Sequence, residues 1–242
     1  MLDRTAQTVI AGVVLLGIAI VLGSALIGHG IRHRSDRNQI TVTGSAKKRI
    51  TSDYVVWNLS VTSQEPLASA AADRVAGWAK RVRAFLDEEG IRGDELTVQP
   101  VANEAITGEE TGEGSGILAY QVTRTFTIRS RRVLAVRTVA EHSARLLAAN
   151  VPLQAEPPQY VFTRLPEVRP GLLAEATRDA QKRAKVLVEA TGSKLGGLRG
   201  VDVGVFQVTA PNSTDVSDYG VYDTTTLRKD VSAVVNVTFA LD

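Results

Sequence analysis

Nucleophilic catalysis needs a Ser or Thr, a His base and a carboxylate that orients it. Beyond residue 33 this sequence offers one histidine, His142. It stands in a helical stretch beside Glu141 and Ser143, which point in different directions on a helix, and no GxSxG elbow occurs anywhere. We read His142 as a surface or core histidine. Loop carboxylates are what calcium requires, and two runs supply them: Glu109, Glu110 and Glu113, and Asp215, Asp218 and Asp223. Neither has the EF-hand spacing or its closing Glu, so both read as solvated loops. Gly196-Gly197 lacks the Lys and Ser/Thr of a phosphate loop, and Gly112-x-Gly114-x-Gly116 opens no dinucleotide-type helix. The chain has no Cys and three His, which excludes thiolate zinc, disulfide and cysteine chemistry and argues against an all-His metal centre. No catalytic residue, metal or cofactor is expected.

Basic residues form two groups. Arg32, Arg34 and Arg37 follow a long apolar run, where each would gain about 1 kcal/mol from anionic headgroups. Arg124, Arg129, Arg131 and Arg132 gather near a strand end and read as a solvated edge that resists strand-to-strand aggregation. A net charge of +2 over 242 residues is too small to mark a nucleic-acid binder.

The elements that position these residues begin with the apolar run itself. Val9 to Gly28 holds twenty residues without a charge, and at about 1.5 Å rise per residue it spans a bilayer core of roughly 30 Å. We expect residues 1–31 to be an uncleaved membrane anchor, in preference to a signal peptide cut near Gly23-Ser24-Ala25, with 32–38 a basic linker. Arg4 stands alone before the span, so the positive-inside rule places the remainder in the cytoplasm.

After the linker the pattern turns to period two. Ile40 to Gly44 begins a strand. Val55, Trp57, Leu59 and Val61 share the core face of a second, and the short connection at Thr51-Ser52-Asp53 predicts a hairpin. A helix follows from Pro66 to Gly90, then a strand over Leu96–Ile106. In the next strand Leu118, Tyr120, Val122, Phe126 and Ile128 lie on one face, with Arg124 the lone charge among them. Gln121, Thr123, Thr125, Thr127 and Arg129 lie on the other. Ser130 is expected to cap a helix from Arg132 to Ala149 that Asn150 ends. A short strand at Gln159–Thr163, a helix from Pro170 to Thr191 stopped by Gly192, a strand at Gly200–Val208, a polar loop to Thr226 and an alternating strand from Val231 to Leu241 complete the chain. Paired strands interrupted by helices imply an α+β fold of antiparallel sheets packed with helices.

Three segments resemble the SIMPL-domain (DUF541, YggE-like) family: Ile40 to Gln64 as its opening hairpin, Gly116 to Ser130 as its Tyr-containing central strand, and Ala176 to Leu198 as its Ala-rich helix followed by Gly and Leu-Gly. Val188 and the basic Lys47-Lys48-Arg49 depart from the pattern. Ala176, Ala180 and Ala184 also give a low-profile face on which a helix can lie close to a sheet. The resemblance implies two small α+β subdomains within 39–242, a bacterial envelope location at the inner membrane with the domain extracytoplasmic, and assembly into homo-oligomeric rings or barrels. It opposes the charge rule on orientation, and we follow it.

The leading expectation is a non-enzymatic, single-pass membrane protein that self-associates, with Thr123 and Thr125 on a polar face offered to a second copy. Its partners are membrane lipid, through the N-terminal helix, and further copies of itself, together with an unidentified envelope partner. The alternative is a monomeric or dimeric module binding a peptide, lipid or small ligand through the loops at Gly108–Gly116 and Thr209–Thr226.

Overall fold

The computed structural model describes residues 38–108 and 116–242. The run Val9–Gly28, the residues Arg32, Arg34 and Arg37, and Glu109, Glu110 and Glu113 lie outside them. No helix among the described residues is long and apolar enough to cross a membrane.

In chain order the elements are β1 (Gln39–Thr51), β2 (Tyr54–Glu65), α1 (Ala68–Glu88), β3 (Leu96–Val98), β4 (Ala102–Thr107), β5 (Ile117–Ser130), α2 (Val133–His142), α3 (Ala144–Ala148), β6 (Leu153–Ala155), β7 (Gln159–Val161), α4 (Leu165–Ala190), β8 (Leu195–Val203), β9 (Gln207–Thr209) and β10 (Arg228–Leu241). They build a six-stranded sheet, order β3-β5-β2-β6 with β4 on β5 and β7 on β2, and a four-stranded sheet, order β1-β10-β8 with β9 on β10. The fold is therefore α+β with antiparallel sheets. The described residues divide into two compact units, Lys47–Leu172 with Val205–Ala233, and Leu173–Gly204 with Val234–Asp242 and residues 38–46.

In the first unit β2 and β5 pair antiparallel along most of their length, Trp57 opposite Ile128 and Leu59 opposite Phe126. Period two puts Val55, Trp57, Leu59 and Val61 on one face, where all are buried with Val122, Phe126 and Ile128. Helix α1 covers that face with Ala71, Val75, Val82, Phe85 and Leu86, and α2 adds Val136 and Val139. Each fully buried large side chain contributes about 2 kcal/mol. Trp57 is a core residue as expected, its indole N–H donating to Glu156 O at 2.8 Å.

In the second unit Ala176, Ala180 and Ala184 of α4, none with exposed surface, pack with Val42, Val235, Val237 and Phe239. The contact is closest at Gly44. A Cβ there would stand 2.1 Å from Ala176 O and 2.7 Å from Ala180 Cβ, so only glycine admits the helix at this distance.

Several expectations need correction. β1 and β2 form no hairpin, because they belong to different sheets. Ser52 N–H donates to Leu227 O and Asp53 N–H to Val161 O, so the short connection is bonded to other segments instead of closing on itself. Leu96–Ile106 is two strands, since Pro100 has no N–H to give the ladder, though both pieces pair with β5. The Arg132–Ala149 helix breaks at Ser143, whose hydroxyl donates to Ala140 O. The α4 helix begins at Leu165, ahead of Pro170, and carries that proline inside it. At the sixth helical position Pro170 lies past the four N–H groups that lack helical partners, so it forfeits one intrahelical hydrogen bond. The Gly200–Val208 strand begins at Leu195 and ends at Val203. Leu118, assigned to the apolar face of β5, is exposed.

The helix stops are as read. At Gly90, Asn150 and Gly192 the backbone turns to positive φ (77°, 56° and 73°). In each the next residue's N–H donates back across the turn: Ile91 to Leu86 O, Val151 to Leu146 O, Ser193 to Val188 O. These are Schellman closures, which satisfy the orphan carbonyls of a helix end.

Candidate functional site

In the first unit a set of side-chain hydrogen bonds surrounds the Thr51-Ser52-Asp53 connection. The Asp53 carboxylate accepts hydrogen bonds from Thr163 N–H (2.7 Å), Thr163 Oγ1 (3.0 Å) and Arg164 Nε (3.0 Å). Burial raises the Asp53 pKa, but these donors outweigh it and hold the carboxyl below its ordinary value. They tie the start of α4 to the start of β2. Arg164 is further held over the Phe162 ring, 5.7 Å from its centroid.

Across from it lies the start of α2. Ser130 was expected to cap this helix. Its hydroxyl instead accepts the Arg132 N–H at 2.8 Å, ahead of the first helical residue, and donates to Glu95. Residue 132 holds the cap position, and no side chain caps the helix. Glu95 gathers Ser130, the Arg132 guanidinium and Arg92 N–H. The Arg132 hydrogen bond is the main reason its carboxyl falls to about 2, against the opposing effect of burial.

Between these two assemblies is a cleft of about 1050 Å³. Thr51, Ser52, Asp53, Thr163, Arg164 and Glu167 line it, with Arg131 to Ala135 and with Leu227 and Arg228. Four arginines and two carboxylates, Asp53 and Glu167, thus line the cleft. Arg132 and Arg164 are committed to Glu95 and Asp53, whereas Arg131 and Arg228 form no salt bridge among the described residues. The Arg131-Arg132 pair was read as a solvated strand edge. β5 is an interior strand of its sheet, so there is no edge there, and the pair belongs to the cleft.

Thr123 and Thr125 lie where the alternation put them, on the polar side of β5 opposite Thr62 and Ser60 of β2. Thr123 and Thr62 share a hydroxyl hydrogen bond at 3.0 Å. With Asn58 they form a half-buried polar surface, while α1 and α2 pack on the other face. His142 is half-exposed, and its Nδ1 is 2.9 Å from Glu89, which also accepts from Arg145 Nη1 at 2.8 Å. Asp215 binds the Ser213 hydroxyl, and Asp223 binds Thr225, Thr226 and Lys229. Among the described residues no group of three or more acidic, His or Cys side chains could hold a metal ion.

Sequence reasoning missed two buried charges at the head of β10. Lys229 has no exposed surface and donates to Asp223 at 3.1 Å, and Asp230, 2% exposed, accepts from Arg49 Nε at 2.8 Å and Lys47 Nζ at 3.2 Å. Arg49 in the first place holds Asp230 well below the usual carboxylate range. The basic Lys47-Lys48-Arg49 run, which departed from the family pattern, thus supplies counter-charges to a buried carboxylate. In the second unit β8 exposes Leu198 (59%), Val201 (46%) and Val203 (53%) along a strand paired only with β10 among the described residues.

The comparisons bear on this fold as a whole. The family model for SIMPL, a protein of unknown function (DUF541), matches residues 40–239. The chain belongs to this family, as the three segments indicated. A comparison with curated proteins gave no match.

Proposed function

We propose that the chain is a single-pass bacterial envelope protein, anchored in the inner membrane with its SIMPL domain extracytoplasmic, and that this domain self-assembles into a ring or barrel scaffold without catalysis. One observation carries the assembly: among the described residues β8 leaves an edge whose Leu198, Val201 and Val203 are exposed. An apolar strand edge with unpaired backbone groups is a template for a further strand. Joined to a different surface on the next copy, such an edge generates a closed ring if the rotation closes. The Thr123/Thr125 face is the second surface offered for contact. Val9–Gly28 supports the anchor, and Arg32, Arg34 and Arg37 support its hold on anionic lipid.

Native mass spectrometry of the full-length protein in mild detergent tests this. A single large closed oligomer is expected, dissociated by Val201→Lys. If the Thr123→Glu/Thr125→Glu variant dissociates it instead, the seam runs along the polar face. A monomer or dimer of the wild type rejects the scaffold and leaves the binding module. For that reading the cleft beside Asp53 is the specific observation in favour.

A further inference from the structure

We propose that the cleft between the starts of α2 and α4 binds a small phosphomonoester, with Ser52, Arg131, Arg228 and the first-turn N–H groups of α2 as its donors. The inference stands whether or not the chain assembles.

Four independent observations converge on one place. Ser52 lines the cleft, is 5% exposed, and its Oγ is the one buried side-chain polar atom without a hydrogen-bond partner among the described residues. A buried hydroxyl left unpaired carries a cost, and because this one is closed to solvent, the Ser52 side chain must turn toward the cleft to act as a donor. Arg131 and Arg228 line the same cleft and are exposed, with no carboxylate partner among the described residues, while Arg132 and Arg164 beside them are paired with Glu95 and Asp53. The N–H groups of Val133 and Leu134 are first-turn donors of a ten-residue helix that no side chain caps. Such groups have no acceptor within the helix and carry the positive end of its dipole. Finally, Asp53 already accepts three hydrogen bonds from Thr163 and Arg164 and pairs with the Arg164 guanidinium, which offsets its charge at the cleft.

The number of donors decides the class of anion. Two guanidinium forks, two backbone N–H groups and a hydroxyl exceed what the two oxygens of a carboxylate can accept, and they suit the three oxygens of a phosphomonoester. Glu167 opposes an anion at its own side of the cleft. That repulsion favours one compact phosphate carried on an uncharged remainder over a polyphosphate. Val133, Leu134 and Leu227 offer that remainder an apolar wall.

The test uses the full chain in detergent and inorganic phosphate as probe, reading the ³¹P line width at constant ionic strength set with chloride. The wild type broadens the line. Arg131→Ala/Arg228→Ala weakens binding at least about tenfold, the loss of a charge-assisted hydrogen bond. Arg199→Ala, on the exposed strand β8 of the other unit, leaves it unchanged. Ser52→Ala separates binding from structure: it weakens phosphate binding while the melting temperature of the ligand-free protein stays the same or rises. Competition identifies the source. Displacement by glycerol 3-phosphate indicates a soluble ligand, and displacement only by nanodiscs containing phosphatidic acid indicates a lipid headgroup; either supports the site. The proposal is overturned if the wild type does not broaden the line beyond a detergent blank, or if the folded double arginine variant, checked by circular dichroism, broadens it equally.

Discussion

Glu95 concentrates more hydrogen bonding than any other carboxylate near the cleft, and its position makes a pH-dependent claim. The Arg132 hydrogen bond above all, with those from Ser130 and Arg92 N–H, lowers its pKa from the ordinary 4.5, taken for the unfolded chain, to about 2 in the folded one, against the effect of burial. A carboxyl depressed by folding adds stability that is complete above the unfolded value and drains away as pH falls toward the folded value. The contribution of Glu95 is therefore whole above about pH 4.5 and lost between there and about pH 2. Glu95→Gln keeps the size and removes the charge, leaving the Arg132 guanidinium without its anion and Ser130 with a weaker acceptor. At pH 6 the variant is expected to be less stable by about 2 kcal/mol, the range for hydrogen bonds to a charged group. The gap between wild type and variant should close as pH is lowered to 2. Denaturant titrations followed by the fluorescence of Trp57 and Trp78 at pH 6, 4, 3 and 2 would show this. A gap that stays constant with pH means the carboxylate charge contributes nothing and only shape was lost.

At the scale of elements, the Ala face of α4 sets how near that helix comes to β1. Gly44 removes the remaining obstacle, since a Cβ at that position would overlap backbone atoms of α4. Backbone cannot rotate aside as a side-chain tip can, so the helix must move as a whole. Gly44→Ala is therefore expected to destabilise the unit by about 3 kcal/mol, the upper part of the range for overpacking. The reciprocal change, Gly77→Ala, lies in α1 with open space around it and should stabilise slightly through helix propensity. Thermal unfolding of the two variants compares them directly; equal midpoints would show that α4 is loosely held. The small-residue face was legible in the sequence because three alanines at intervals of four can have only one spatial meaning on a helix. The helix stops at Gly90, Asn150 and Gly192 were legible for a similar local reason, since positive φ selects Gly and Asn. What was not legible is nonlocal. Nothing in Thr51-Ser52-Asp53 reveals that its backbone bonds to Leu227 and Val161, so a short polar connection between two alternating runs read as a hairpin. The same distance in sequence hides the cleft. Arg131 and Arg228 stand almost a hundred residues apart, and a lone Arg beside a strand has no pattern to distinguish it from a solvated one. Lys229 and Asp230 carried a faint signal, two adjacent charges opening an otherwise apolar alternation, but their partners Asp223 and Arg49 lie in other segments.

For the whole molecule the sequence sets two rules against each other, and one labelling experiment separates them. Arg4 alone before Val9–Gly28, against Arg32, Arg34 and Arg37 after it, favours retention of the domain in the cytoplasm under the positive-inside rule. The bias counts charges near the span and is weakened when a large folded domain follows, because long segments translocate largely regardless of charge. The proposed export rests instead on what the family resemblance implies. The chain contains no cysteine, so a single Tyr219→Cys substitution creates the only thiol in the protein. Tyr219 is 98% exposed, and its side chain carries no packing, so the variant should fold as the wild type does. We expect a membrane-impermeant maleimide to label it in intact spheroplasts to the same extent as after lysis. Labelling that appears only on lysis would place the domain in the cytoplasm, and the charge rule would have been the better guide. In that event the extracytoplasmic location falls, while the phosphate cleft and the β8 edge, which depend on local geometry alone, remain to be tested on their own terms.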